Sequence, residues 1–325
     1  MFKSTGQIKV VVAARRDEAD GIISLELRHP DGKNLPAFVA GSHIDLHLGK
    51  DLIRQYSLTN DPAETNRYLI GVLREPQSRG GSIAVHDKLK VGVALEISQP
   101  RNSFPLDESA KHTVLMAGGI GVTPMLAMAL RLKSLGKSFE LHYCVRSKSR
   151  AAFVPLIEEA GLKDHVHFHF DDGEPSQKLD PSKSLKPASG THLYVCGPGG
   201  FMEFILKSAR TNKWSEDQLH VEYFGAKPVD ASAAAAAGSF RVKAKKSNKE
   251  FEVPPNKSIA KCLMENGIAI PTSCENGICG TCLTGVLEGI PDHQDSFQTK
   301  AEKEKNNMMT VCCSRSKSPL LVLDI

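Results

Sequence analysis

The sequence lacks a strong excess of charge of either sign. Its 325 residues include 41 lysines and arginines against 37 aspartates and glutamates, which leaves a net charge of +4. This balance, with no local basic cluster, argues against a surface for nucleic acids or membranes. A content of 41% apolar and 24% charged residues excludes disorder, coiled coil and collagen. The length predicts two or three domains.

Long apolar runs are also scarce. Only a short apolar stretch precedes Arg15 and Arg16, so the sequence predicts neither a secretory signal nor a membrane anchor, and we expect a cytoplasmic protein. The uncharged stretch Thr113–Leu130 is long enough to suggest a membrane span. Its three glycines and Pro124 instead predict a buried strand, a tight turn and a helix.

The eight cysteines are unevenly placed, with five in the last 52 residues. Cys274, Cys279 and Cys282 follow the spacing C-x4-C-x2-C, which is the plant-type [2Fe-2S] pattern. Close-set cysteines in a reducing compartment more often hold a metal than form disulfides. Gly277 and Gly280 allow unusual backbone dihedrals and let N–H groups approach the sulfurs. The alternative, a structural zinc site, usually takes its cysteines in two C-x2–4-C halves.

The residues around these cysteines resemble a plant-type ferredoxin over residues 240–325. Two alternating strands, a helix from about Ser258 to Glu265, the cysteine segment and further strands give an α+β layout of the β-grasp type. By this resemblance the fourth cluster ligand is Cys312, separated from Cys282 by 29 residues, and not Cys313. The cysteines without partners at ligand spacing are predicted to be buried small side chains: Cys144, Cys196 and Cys262.

Residues 107–225 alternate apolar strands with helical stretches, which predicts an α/β domain with a parallel sheet. Ligands bind such sheets at the carboxyl ends of the strands. Two of these ends, Gly118–Pro124 and Cys196–Gly200, are rich in glycine. Pro124 is expected at the first helical position, which would leave the preceding N–H groups free for a pyrophosphate. The alternative is a glycine turn that only lets the helix pack closely.

Residues 1–106 contain short strands at regular spacing, which predicts a small antiparallel β-barrel. Two short motifs there are similar to the flavin-binding pattern of the ferredoxin-NADP reductase superfamily. Their arginines can neutralise a phosphate, their glycines expose N–H groups to it, and the tyrosine offers an aromatic wall for the flavin. The predicted flavin-binding residues are Arg54, Tyr56, Ser57, Arg79, Gly80, Gly81 and Ser82.

The segments GGIGVTPM and YVCGPGGFM, some seventy residues apart, together resemble the nicotinamide-binding signature of the same superfamily. The order of flavin barrel, nicotinamide domain, linker at 226–239 and ferredoxin domain resembles the phthalate dioxygenase reductase family, which includes the vanillate demethylase reductases. The resemblance implies FMN, NADH and a [2Fe-2S] cluster as cofactors. It also implies a Rieske-type oxygenase component of an aromatic-degrading system as the electron acceptor.

The resemblance further implies roles for single residues. Cys196 would flank the nicotinamide and Thr123 would touch both cofactors, so these two are the predicted catalytic residues. Phe224 would lie against the isoalloxazine, with a core aromatic as the alternative reading. The remaining predicted nucleotide-binding residues are Gly118, Gly119, Gly121, Pro124, Arg146, Ser147, Gly197 and Pro198, and the cluster ligands are Cys274, Cys279, Cys282 and Cys312.

The sequence leaves the choice of nucleotide open. The turn Arg146–Arg150 has three cations and no acidic residue for a ribose 2′-hydroxyl, so NADPH is not excluded although the resemblance favours NADH. The sequence also leaves the identity of the electron acceptor open, because a soluble ferredoxin or a monooxygenase could accept electrons from the same modules. A redox sensor without enzymatic turnover is a third hypothesis, but no segment remains to serve as its regulatory module.

Overall fold

The computed structural model describes residues 6–49, 52–76, 80–224, 238–272, 275, 277, 280–295 and 297–325. The described residues up to Leu48 and from Arg54 to Phe224 form one compact unit, and those from Gly238 onward belong to a second. All but the last two residues of the predicted linker 226–239 lie outside the described residues. None of the helices in the described ranges has the length and apolarity needed to cross a bilayer.

The first unit begins with a closed antiparallel barrel, as predicted. Its strands are β1 (Ile8–Ala19), β2 (Ile22–Arg28), β3 (Ser42–His47), β4 (Ile53–Ser57), β5 (Tyr68–Leu73), β6 (Ala94–Ile97) and β7 (Arg101–Asn102). They pair in the order β4-β3-β6-β1-β2-β5, with β7 on β3, and a bridge between Leu58 and Ile70 closes the ring. Helix α1 (Gly81–Lys88) lies between β5 and β6 in the chain and was not anticipated from the sequence.

A five-stranded parallel sheet follows the barrel and confirms the predicted α/β architecture. The strands are β8 (His112–Gly118), β9 (Ser138–Val145), β10 (Val166–Phe170), β11 (Thr191–Cys196) and β12 (Leu219–Glu222), in the order β10-β9-β8-β11-β12. The helices are α2 (Val122–Ser134), α3 (Val154–Glu159), α4 (Pro181–Ser184) and α5 (Gly199–Thr211). The uncharged stretch from Thr113 is thus a strand, a turn and a helix, as expected.

Alternation along the strands sends side chains to two separate cores. Leu115 of β8 is buried together with Met125 of α2, whereas its neighbour Val114 is buried together with Ile205 of α5. The first of these cores also contains Ile22 and Phe104 from the barrel. The barrel and the parallel sheet therefore share buried apolar side chains.

The second unit has the predicted β-grasp layout. Its main sheet contains β13 (Phe240–Ala244), β14 (Lys249–Val253), β15 (Leu283–Glu288), β17 (Met308–Thr310) and β19 (Leu320–Leu323), in the order β14-β13-β19-β15-β17. A two-stranded sheet joins β16 (Pro291–Asp292) to β18 (Arg315–Ser316). Helices α6 (Ile259–Glu265) and α7 (Lys300–Glu304) complete the unit. The Ser258 side chain caps α6 by accepting from the Lys261 N–H, which sets the predicted start of this helix.

Candidate functional site

The two glycine-rich strand ends of the parallel sheet lie in direct contact with each other. A Cβ added to Gly121 would overlap the Cys196 carbonyl oxygen, and one added to Gly197 would stand 2.9 Å from the Gly118 Cα. A Cβ at Gly118 would stand 2.7 Å from the Phe201 ring. Glycine at 118, 121 and 197 is therefore required by close packing between the two turns, independently of any ligand.

Three other glycines leave open space where a ligand can approach the backbone. A Cβ at Gly119, Gly199 or Gly200 would meet no atom within 4 Å. Gly119 has a φ of +52°, a conformation that favours glycine. Gly199 and Gly200 begin the 13-residue helix α5 just after the carboxyl end of β11, and no side chain caps that end of the helix. Uncapped N–H groups at a helix start are suited to a phosphate.

Pro124 is not the first helical residue, and that prediction is wrong. Residues Gly119–Gly121 form a 3-10 turn that runs directly into α2, which begins at Val122. The Val122 N–H already donates to the carbonyls of Gly119 and Ile120, so it is not free for a pyrophosphate. The sequence pattern could not show this, because proline is tolerated anywhere in the first helical turn, not only at its first position.

The predicted catalytic residues Cys196 and Thr123 are both buried. Cys196 has no exposed surface, and burial raises the pKa of its thiol well above the ordinary value, so the thiol is neutral. The Thr123 hydroxyl donates to the Ile120 carbonyl at 3.0 Å. The Thr123 methyl stands 2.7 Å from where a Gly71 Cβ would lie, so Thr123 packs against barrel strand β5. Contacts of either residue with a cofactor stay a prediction.

A buried carboxyl that the sequence analysis missed lies beside Cys196. Glu222 pairs with Cys196 in the register of β11 and β12, and the Ser57 hydroxyl of the barrel donates to Glu222 Oε2 at 3.4 Å. Burial raises the pKa of Glu222 to about 8, and the Ser57 hydrogen bond opposes part of that rise. Phe224, two residues on, is 47% exposed, so the alternative of a core aromatic is wrong.

Four of the predicted flavin residues, Arg54, Gly80, Gly81 and Ser82, lie at the start of α1. A Cβ on Gly81 would overlap the Arg54 side chain, so the guanidinium stem lies directly against the first residue of this helix. Gly80, which precedes the helix, has a φ of +85°. Ser82 Oγ accepts from the Glu75 N–H at 3.1 Å. Burial raises the pKa of Tyr56, which keeps its phenol protonated. Arg79 lies outside the described residues.

The two aspartates that follow the neighbouring strand β10 are hydrogen-bonded through their backbone to the start of the basic turn Arg146–Arg150. Asp171 and Asp172 directly follow β10, and their N–H groups donate to the carbonyls of Val145 and Arg146 at 3.1 and 3.0 Å. Both aspartates and Arg146 are exposed. Ser147 is held locally, with its hydroxyl 3.1 Å from that of Ser149. The sequence has no acidic residue in the turn after the second strand of this sheet, β9. In the structure, the acidic residues near that turn come from the end of the third strand, β10.

The cysteine segment is only partly within the described residues, because Cys274 and Cys279 lie outside them. Cys282 and Cys312 are both buried and hydrogen-bonded to each other through their side chains, and the Gly277 backbone also hydrogen-bonds to Cys312. The neighbouring Cys313 thiol hydrogen-bonds to Cys312 as well and lies against Gly277. Gly277 and Gly280 have φ values of +69° and +70°, which only glycine adopts readily. Two converging thiols and a glycine N–H fit a cluster held by thiolates.

The amino-acid sequence of the chain is similar to those of known proteins. Residues 242–317 match the 2Fe-2S iron-sulfur cluster binding domain. The chain is 50% identical over 319 residues to the vanillate O-demethylase oxidoreductase of Pseudomonas sp. (strain HR199 / DSM 7063), a match that covers 98% of this chain and 100% of that one.

Two solved structures are also similar over 98% of this chain. One is phthalate dioxygenase reductase, described as a modular structure for electron transfer from pyridine nucleotides to [2Fe-2S], at 38% identity, a TM-score of 0.72 and 98% coverage of that protein. The other is an intact type IV self-sufficient cytochrome P450 monooxygenase, at 35% identity and a TM-score of 0.81, with 41% of that longer chain covered.

Proposed function

We propose that this chain is the reductase component of a Rieske-type aromatic oxygenase or demethylase system. The ground for this proposal is that the chain belongs to the family of the vanillate O-demethylase oxidoreductases and phthalate dioxygenase reductases. Electrons would pass from NADH through FMN and a [2Fe-2S] cluster to the oxygenase component. The supporting observation is the presence in one chain of two contacting nucleotide turns and a cysteine segment that matches a 2Fe-2S binding domain.

The three modules suit the conversion of one two-electron transfer into two one-electron transfers. A bound flavin would take the two electrons of a hydride and release them singly to a cluster that carries one at a time. No acid, base or nucleophile from the protein is needed for this, so the side chains position and tune the groups. The neutral Cys196 thiol agrees with such a role, since only a thiolate would act as a nucleophile.

Each part of the site has a defined task in this proposal. Arg54 and the start of α1 would hold the FMN phosphate, and Tyr56 would flank the ring. The open start of α5 at Gly199 and Gly200 would hold the nucleotide. Ser57 and Glu222 join the barrel to the parallel sheet at the carboxyl end of β12 and would orient the nicotinamide toward the flavin. Cys282 and Cys312, with Cys274 and Cys279, would hold the cluster.

Anaerobic mixing of the purified protein with NADH tests the electron path. We expect the flavin absorption to bleach first and the cluster absorption second, because a hydride donor cannot reduce the cluster directly. Mass analysis of the released flavin is expected to give FMN, and iron and acid-labile sulfide are expected at two each per chain. If NADH bleached neither chromophore, the proposed path would be wrong.

Asp171 is expected to favour NADH over NADPH. A carboxylate at the end of a strand can accept from the ribose 2′-hydroxyl and repels a 2′-phosphate. We expect Asp171→Asn to raise kcat/KM for NADPH about fivefold relative to that for NADH, because removal of one like charge relieves roughly 1 kcal/mol of repulsion. Steady-state reduction of a dye with each nucleotide measures the ratio. Asp164→Asn, a change at a carboxylate just before β10, is the control, and an equal ratio in both variants would contradict the assignment.

The match to a self-sufficient monooxygenase supports a second candidate acceptor, a P450-type monooxygenase. In that protein a segment similar to this whole chain makes up 41% of the length. Co-purification of the native electron acceptor distinguishes the two candidates, since an oxygenase component would bring a Rieske cluster and a monooxygenase would bring haem. Cytochrome c reduction would not distinguish them, because it accepts electrons from many reductases.

A further inference from the structure

A buried carboxylate without a role in the proposed function lies against the cysteine segment of the second unit. It belongs to Asp295, which follows β16 and whose side chain has no exposed surface. A Cβ added to Gly277 would stand 2.8 Å from both the Cα and the Cβ of Asp295, and it would overlap the Cys313 sulfur. The Gly277 backbone also hydrogen-bonds to Cys312. One glycine therefore contacts both Asp295 and a predicted cluster ligand.

The backbone on either side of Asp295 is bonded to both parts of the chain that carry the predicted ligands. The Phe297 N–H donates to the Gly277 carbonyl of the cysteine segment at 3.0 Å. The Gln294 N–H donates to the Ser314 hydroxyl, just after the last predicted ligand, at 3.3 Å. These two bonds fix the position of the carboxylate relative to the cysteine segment.

Three groups lie close to the Asp295 carboxylate. Its Oδ2 accepts from the Gln298 N–H at 2.7 Å. The Lys303 Nζ of α7 lies 3.9 Å from the same oxygen and also donates to the Asp295 backbone carbonyl. His293 Nδ1 lies 3.7 Å from Oδ1, the other carboxylate oxygen. The backbone N–H and the ammonium both stabilise a negative charge on this carboxylate.

The hydrogen bonding of the carboxylate is incomplete within the described part of the chain. Asp295 Oδ1 and both ring nitrogens of His293 are buried without a hydrogen-bond partner. An unpaired acceptor inside a protein costs free energy, so the stability of the fold does not explain this carboxylate. The neighbouring cysteine segment suggests another explanation, because a buried charge acts strongly on any charge that is added near it.

An electron that enters the cluster adds one negative charge beside the cysteine segment. The Asp295 carboxylate repels this charge, and the Lys303 ammonium attracts it. The Lys303 side chain is 27% exposed and the Asp295 side chain is fully buried, so solvent and salt screen neither charge completely. Net charge near a cluster is one of the properties that determine its reduction potential. The two side chains are therefore expected to act on the potential in opposite directions.

We propose that Asp295 and Lys303 tune the reduction potential of the cluster, which Asp295 lowers and Lys303 raises. The inference rests on the proposed function, because it requires a cluster at the cysteine segment. One electron is added and no covalent bond forms or breaks in this step. A lower potential makes the reduced cluster a stronger electron donor, so Asp295 favours onward transfer to the acceptor protein.

Potentiometric titration of the flavin- and cluster-loaded protein, followed by the EPR signal of the reduced cluster, tests the proposal. Asp295→Asn keeps the shape of the side chain and removes its charge. We expect it to raise the equilibrium constant for cluster reduction about tenfold, which is about 59 mV for one electron. Lys303→Gln is expected to lower the same constant roughly threefold, since this side chain is partly exposed. A purely structural role would not give shifts of opposite sign.

Two exposed charges at the end of the same helix provide matched controls. Glu304 is the last residue of α7 and Lys305 follows it, and both are exposed. We expect Glu304→Gln and Lys305→Gln to change the equilibrium constant for reduction by less than about twofold, because solvent and salt screen exposed charges.

Iron and acid-labile sulfide contents separate failure of this inference from failure of the proposed function. A wild-type protein without iron would contradict the proposed function itself. If the variants keep the cluster but leave its potential unchanged, or shift it in the same direction, Asp295 and Lys303 only shape the turn before α7. If Asp295→Asn loses the cluster, Lys303→Gln still decides, because it leaves the buried carboxylate in place.

Discussion

Replacing Cys312 by serine is expected to remove the cluster and to reduce NADH-dependent electron transfer to the oxygenase component by at least about a hundredfold. Cys312 is buried and hydrogen-bonded to Cys282, to Cys313 and to the Gly277 backbone. Serine supplies a harder, poorly ionised oxygen in place of a thiolate. Reduction of the flavin by NADH should persist, because the flavin residues lie in the first unit.

The neighbouring cysteine provides the control for this variant. Cys313 is half-buried, and its sulfur lies 3.3 Å from the Thr310 hydroxyl. We expect Cys313→Ser to keep its iron, acid-labile sulfide and visible absorption, and to support turnover with the oxygenase component. If Cys313→Ser lost the cluster and Cys312→Ser kept it, the fourth ligand would be Cys313 and the spacing argument would be wrong by one residue.

Replacing Glu222 by glutamine is expected to flatten the pH dependence of stability between about pH 4.5 and pH 8. The pKa of Glu222 is raised by burial to about 8 in the folded protein, against an ordinary value of 4.5. The folded state therefore retains a proton that the unfolded chain releases. The stability from this group is complete below pH 4.5 and is lost as the pH rises through 8, by a few kcal/mol at most.

Urea unfolding of the wild type and the variant between pH 5 and pH 9 measures this effect. The wild-type midpoint should fall by more than the Glu222→Gln midpoint over that range, since glutamine has no proton to lose. Glu159→Gln, a change at an exposed carboxyl, serves as the comparison and should follow the wild-type curve. Parallel curves for the wild type and Glu222→Gln would show that Glu222 ionises normally.

The fold could be predicted from the sequence wherever the pattern of residues within a short segment determines the structure. The alternation of apolar and polar residues with a period of two predicted the barrel strands, and the alternation of strands with helices predicted the parallel sheet. The cysteine spacing identified the ferredoxin unit because three of its ligands come from nine consecutive residues. These signals depend on short segments whose pattern is complete in the sequence itself.

The features that the sequence did not reveal depend on contacts between distant segments. Ser57 and Glu222 are 165 residues apart and meet only because the barrel packs against the end of β12. Asp171 directly follows β10 but lies beside the end of β9, because parallel strands end at the same edge of the sheet. The position of Pro124 was predicted wrongly for a local reason, since proline is tolerated throughout the first turn of a helix and does not mark its first residue.

The interlocked turns restrict how this scaffold can be altered. Because Gly121 abuts the Cys196 carbonyl and Gly197 abuts Gly118, a side chain added to either turn would collide with the other. An engineer who wishes to change the preferred nucleotide cannot redesign either turn without disturbing the other. Directed changes are better confined to the open positions Gly199 and Gly200 and to the carboxylates after β10. In natural divergence, the same constraint would make the two turns evolve together while the rest of the nucleotide surface varies.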